Sequence, residues 1–100
     1  MNAAIAISPD DNVATALETL EAGRVIEIAG RRITAGAAIP RGHKIALRAI
    51  RAGEPVIKYG SPIGTATTDI AAGMHVHTHN VESTRGRGDR GAAPLSPSSP

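Results

Sequence analysis

Three groups of residues in this chain have types and spacings that could do chemistry. The densest is Met74-His75-Val76-His77-Thr78-His79-Asn80, which holds three of the four histidines. In an extended strand successive side chains alternate between faces, so His75, His77 and His79 would share one side, with Val76 and Thr78 turned to a core. Neighbouring imidazoles would then lie roughly 7 Å apart and the outer two roughly 13 Å apart. Two of them can converge on one metal, because a metal–nitrogen bond is only about 2 Å long. All three could do so only if the strand bends, so a metal would need ligands from elsewhere. A polar, solvent-facing edge without a ligand fits the same pattern.

The second group is Gly42-His43-Lys44. A fixed cation beside an imidazole lowers the imidazole pKa and attracts anions. An exposed turn with a solvated lysine is the plainer alternative. The third is Lys58-Tyr59-Gly60, where the single aromatic residue of the chain could donate to a carboxylate or pack on a core. Core packing is the expectation for Tyr59 taken by itself. Asp10, Asp11 and Asp69 read as turn and cap residues. No phosphate loop, catalytic triad or carboxylate pair stands out.

The elements that must position these residues are short. With 100 residues there is room for one small domain. Phe, Trp and Cys are absent, so Ala, Ile, Val and Leu must build the core and no cysteine chemistry is available. A core without large aromatic side chains is marginal at this size, which predicts reliance on a partner: another copy of the chain or a larger domain. Ala3 to Ser8 reads as a strand, Pro9 to Asn12 as a turn, and Val13, Ala16, Leu17 and Leu20 recur at helical spacing with Gly23 as a stop. Val25 to Ile28 and Arg32 to Thr34 read as strands around a turn at Gly30.

From there an aliphatic-x-x-Gly-x-x-aliphatic pattern recurs at Leu20-Gly23-Ile26, Ile39-Gly42-Ile45, Ile50-Gly53-Val56 and Ile70-Gly73-Val76. It predicts a mainly β fold of short strands turned at glycines, with one short helix. Residues 83–100 are rich in Arg, Gly, Ser and Pro, the composition of a disordered tail. The folded domain is therefore expected over residues 1–82.

Composition narrows the partners. The net charge is +2, and the nine arginines are scattered, without the dense basic stripe and stacking aromatics of a nucleic-acid binder. No apolar run approaches the roughly 20 residues of a membrane span, and the start of the chain does not read as a signal peptide. A soluble cytoplasmic protein is the expectation.

Taken in order, Asp11-Asn12-Val13-Ala14, Gly42-His43-Lys44-Ile45-Ala46-Leu47, Val56-Ile57-Lys58-Tyr59-Gly60, Ile63-Gly64, Asp69-Ile70, Gly73 and His75-Val76-His77-Thr78-His79-Asn80 resemble the SAF-type domain of the altronate/galactarate dehydratase family. The same domain serves as the small subunit of two-component sugar-acid dehydratases and of sulfolactate sulfo-lyase. The resemblance spans residues 3 to 82 and implies a β-clip fold. It implies a small subunit that completes a separate large catalytic subunit, and a hydro-lyase reaction giving a 2-keto-3-deoxy acid from a hydroxy acid. It also implies a divalent metal, iron or manganese, held mainly by the large subunit.

By the same resemblance His43 and Lys44 are the catalytic candidates. Lys58, Tyr59, His75 and Asn80 are the substrate-binding candidates, and His77 and His79 the metal ligands. A sulfolactate sulfo-lyase small subunit, a non-catalytic carbohydrate- or anion-binding module and a small metal- or anion-binding regulator are the alternatives.

Overall fold

A computed structural model describes residues 3–83, and all of their regular structure is β. The nine strands are β1 (Ala4–Ile5), β2 (Val13–Ala16), β3 (Val25–Ile28), β4 (Arg31–Thr34), β5 (Lys44–Ala46), β6 (Pro55–Lys58), β7 (Ser61–Ala66), β8 (His75–Val76) and β9 (Val81–Ser83). They form an antiparallel sheet in the order β1-β2-β5-β8, a β3-β4 hairpin and a β6-β7-β9 sheet. The mainly β expectation holds. Among the described residues no helix is long and apolar enough to cross a membrane. Of the expected disordered tail, residues 83–100, Ser83 ends strand β9 and residues 84–100 lie outside the described residues.

The expected helix over residues 13–20 is instead strand β2 followed by a turn. Val13, Ala14 and Ala16 are all buried because β2 is central in its sheet and covered on both faces. Ala14 and Ala16 pack into one apolar cluster and Val13 into the other. Leu17, which the helical reading placed on the core face, is 47% exposed. Burial on both faces removes the alternation that identifies a half-buried strand.

The glycine pattern is the architecture. Each repeat carries an alanine four positions before its first aliphatic residue: Ala16, Ala35, Ala46 and Ala66, all buried. Repeats pair reciprocally. Leu20 and Ile39 exchange both backbone hydrogen bonds, as do Ile50 and Ile70. The Gly23 N–H donates to the Ala35 carbonyl and Gly42 to Ala16; Gly53 donates to Ala66 and Gly73 to Ala46, all at 2.7–2.8 Å.

After each bridge the chain makes a turn with its glycine at positive φ (91°, 85°, 91° and 86°), the position that type II turns reserve for glycine. Repeats one and two build one core cluster, with Leu20, Ile26, Ile39 and Ile45. Repeats three and four build the other, with Ile50, Val56, Ile70 and Val76. Small alanines let paired strands approach closely, which is how a core forms here without aromatic side chains.

Two hairpins close on two-residue loops, Ala29-Gly30 and Tyr59-Gly60, with both central residues at positive φ, the type I′ geometry that suits strand twist. Tyr59 is thus at an exposed tip (46% exposed) rather than on a core, and the Lys58 ammonium lies 4.9 Å from its ring centroid. The tip is anchored from below. The buried Asp11 carboxylate accepts from the backbone N–H groups of Ile7, Ser8 and Gly60 at 2.8–3.1 Å. Asp69 likewise accepts from Ala52 at 2.8 Å. Both aspartates act as turn residues, as their sequence positions suggest.

Candidate functional site

The site grows from the pairing of β5 with β8. Lys44 lies opposite Val76 and Ile45 opposite His75. Continuing the antiparallel register by one step sets His43 opposite His77. Alternation then places His43, His75 and His77 on one side and Lys44 on the other. The rings follow: His43 and His77 stack with centroids 3.9 Å apart, and His43 and His75 with centroids 5.0 Å apart. His43 Nδ1 lies 2.8 Å from His75 Nε2, a hydrogen bond in which one ring donates and the other accepts. One nitrogen from each of His43, His75 and His77 can be chosen so that all lie within 4.8 Å of one another. Three half-buried imidazoles thereby gather their nitrogens into one small cluster.

The histidine row is not an extended strand. β8 ends at Val76, and residues 77–80 form a turn. Val76 is buried as expected, whereas Thr78 is exposed. The bend lets His77 join His75 around His43, while His79 sits at the exposed outer edge with its ring tilted 35° to His75. The nitrogens that cluster are those of His43, His75 and His77; of the expected metal pair, His77 is in the cluster and His79 meets His75 at its edge.

Asn80 makes the bend. Its side chain is buried, its Nδ2 donates to the His75 carbonyl and its Oδ1 accepts from the His77 N–H, both at 2.9 Å. Its amide is spent on holding the two histidines, which makes it a positioning residue.

Asn12 does the same elsewhere: Nδ2 donates to the Pro55 carbonyl at 2.9 Å and Oδ1 accepts from the Ile57 N–H at 2.7 Å. The backbone bonds of the two asparagines match as well, Leu47 donating to the Asn12 carbonyl and Thr67 to that of Asn80. His75 and His77 thus occupy the positions that Pro55 and Ile57 hold in the paired repeat. The scaffold needs no imidazole there. The signal for this was in the sequence: an Asn-Val pair occurs at Asn12-Val13 and again at Asn80-Val81.

The electrostatics favour neutral rings. Burial, reinforced by His43 and the other imidazoles, pushes His75 below the ordinary value of 6.5. Burial, then His43 and Lys44, does the same to His77. On the other face, burial and then the charge of Lys58 lower the Lys44 ammonium. Lys44 and His77 both line an open cavity of about 200 Å³ with Ile63, Val76, Thr78 and Val81. Thr15, directly across from Lys44 in β2, keeps a buried hydroxyl without a hydrogen-bond partner among the described residues. Thr15 is a polar group that sequence reasoning missed. The site therefore has an imidazole side able to hold a cation and an ammonium side able to hold an anion, in contact through His77.

Residues 2–84 match the family model described as the altronate/galactarate dehydratase SAF domain. Among curated proteins the chain is 51% identical over 71 residues to altronate dehydratase of Escherichia coli (strain K12), covering 71% of the chain and 14% of that protein. It is 42% identical over 82 residues to altronate dehydratase of Bacillus subtilis (strain 168), covering 82% of the chain and 16% of that protein. It is 54% identical over 54 residues to (2R)-sulfolactate sulfo-lyase subunit alpha of Paracoccus pantotrophus, covering 54% of the chain and 81% of that subunit. The chain thus spans a small fraction of the dehydratases and most of the length of the sulfo-lyase subunit.

Proposed function

Because the chain belongs to the SAF-domain family of altronate/galactarate dehydratases, we propose that it is the small subunit of a sugar-acid dehydratase, completing the active site of a separate large subunit. The relatives it matches are lyases that remove a group from a hydroxy acid. Such an elimination takes the proton alpha to the carboxylate, shifts the electron pair to form a double bond, and expels the β-hydroxyl as water with acid assistance. The enol so formed tautomerises to a 2-keto-3-deoxy acid. For altronate the balance is one water released and no redox change.

The observation that carries this reading is the ammonium beside the imidazoles: Lys44, lowered by burial and by Lys58, shares a cavity with His77. A lysine whose proton is more easily lost than usual is the candidate for proton transfer, and the Lys58 ammonium supplies charge for the substrate carboxylate. Tyr59 carries Lys58 over its ring at the hairpin tip. His43 contributes as one of three coupled imidazoles rather than as an isolated base. A divalent metal, iron or manganese, would when bound supply positive charge to the developing enolate. On this chain His43, His75 and His77 are the donors that would hold it, and imidazoles suit iron better than manganese.

The test is complementation in trans. E. coli altronate dehydratase deprived of its matching segment is mixed with this chain and assayed for keto-acid formation from altronate. Restored turnover supports the reading. A second reading, sulfolactate sulfo-lyase small subunit, is favoured by the coverage of the Paracoccus subunit alpha (81%). Sulfite release from sulfolactate with the remaining sulfo-lyase subunits, and no altronate turnover, would select it. Activity in neither assay leaves a non-catalytic module and overturns both.

A further inference from the structure

The three-imidazole cluster has a consequence that needs no lyase partner. We propose that this chain alone binds one late first-row divalent cation through His43, His75 and His77. Ligands on a metal with bonds of about 2.05 Å lie roughly 2.9 Å apart at a right angle and roughly 3.4 Å apart at the tetrahedral angle. His43 Nδ1 and His75 Nε2 are already 2.8 Å apart, and the full set lies within 4.8 Å. The rings are stacked within 10–18° of parallel, so binding replaces the His43–His75 hydrogen bond and rotates the imidazoles until their in-plane lone pairs meet at one centre.

The donor chemistry selects the cation. Three imidazoles with no carboxylate among the clustered ligands suit Fe²⁺, Co²⁺, Ni²⁺ and Zn²⁺, and suit Mg²⁺, Ca²⁺ and Mn²⁺ poorly. Of the two metals the family resemblance offers, this donor set prefers iron. Three protein ligands leave at least one position open, as catalytic sites do. No protein carboxylate in the cluster offsets the charge of the ion, so the open position favours an anionic oxygen ligand, such as the carboxylate of a hydroxy acid.

The scaffold gives independent support. Asn80 spends both ends of its side chain fixing the backbone of two of the three ligands. The equivalent asparagine, Asn12, fixes Pro55 and Ile57 in the same way, where no metal could bind. Imidazoles at the second copy of a structural device that works without them are there for something other than folding.

The experiment is calorimetric titration of the full chain, free of any affinity tag, with Zn²⁺, Co²⁺, Ni²⁺, Mg²⁺ and Ca²⁺. Circular dichroism and thermal melting are recorded on the same samples. The proposal expects one equivalent of Zn²⁺, Co²⁺ or Ni²⁺, a raised melting temperature, and no uptake of Mg²⁺ or Ca²⁺. His43→Ala and His77→Ile should each weaken Zn²⁺ binding by at least 100-fold, and His79→Ala by less than about threefold. His77→Ile installs the side chain the equivalent site already carries, so the variant folds and isolates the ligand. No uptake by the wild-type chain, uptake that survives His43→Ala, or equal losses in His43→Ala and His79→Ala would each overturn the assignment. Because only the metal is added, failure here leaves the lyase reading standing, and failure of complementation leaves the metal site standing.

Discussion

His43 and His77 stack ring against ring at 3.9 Å although they come from different repeats, because each stands one residue beyond the Lys44–Val76 pair that ends the β5–β8 register. That single step of register turns a lone histidine in a turn and a row of histidines elsewhere into one site. It also sets Lys44, the next residue, on the other face of the sheet, where it meets the cavity.

Lys44 is the group on this chain that we propose for proton transfer. In the complemented enzyme, Lys44→Met should lower kcat by roughly 10²- to 10⁴-fold, the usual span for a general acid–base group. KM should change less. Lys44→Arg, which keeps the charge and loses the titration, should restore binding but not kcat. A KM effect alone would reduce Lys44 to an anchor for the substrate carboxylate.

Asn12 and Asn80 should behave alike in stability and differently in metal binding. Each alanine variant leaves a buried carbonyl and N–H unpaired, a loss of about 2–4 kcal/mol read from urea denaturation. Asn80→Ala should in addition weaken Zn²⁺ binding, since it releases His75 and His77, whereas Asn12→Ala should not. Equal metal affinity in the two variants would remove the positioning role of Asn80.

Gly73 and Gly23 separate backbone conformation from close approach. Both have φ near +90°, so alanine costs about 1 kcal/mol at either position from the left-handed conformation alone. At Gly23 an added Cβ meets nothing within 4 Å, whereas at Gly73 it runs into the Thr34 carbonyl. Gly73→Ala should therefore lose several kcal/mol more than Gly23→Ala, or fail to fold. Equal denaturation midpoints would contradict the packing of that turn.

Asp11 makes the fold acid-sensitive. Burial raises its carboxyl, but the N–H groups of Gly60, Ser8, Ile7 and Tyr59 together outweigh burial and hold it below the usual 3.8. A carboxyl lowered in the folded state contributes stability that is complete above the unfolded pKa and lost as pH falls through the folded one. The stability gap between wild type and Asp11→Asn should be full at pH 6, begin to close near pH 4 and shrink further below it. A gap independent of pH would mean that the carboxylate charge contributes nothing.

The sequence carried the elements better than their pairing. Val25–Ile28 was legible because Ile26 and Ile28 alternate with exposed Val25 and Glu27, and the glycine turns because positive φ selects glycine. β2 was not, because Val13, Ala14 and Ala16 are buried on both faces and mimic helical spacing. Tyr59 was misplaced because an aromatic side chain is rarely held at a positive-φ hairpin tip. The site residues were found as separate groups. What joins them is the long-range register of β5 on β8 and the bend at Asn80, and neither is written in local composition. The repeated alanines and the two Asn-Val pairs were the available clues.

The most direct measurement is the anomalous diffraction of crystals of this chain grown with Zn²⁺ and collected at the zinc edge. The account predicts one strong peak at about 2.0–2.1 Å from a nitrogen of each of His43, His75 and His77, with His79 outside the coordination sphere. A peak bound by His77 and His79, or no peak between β5 and β8, would contradict it.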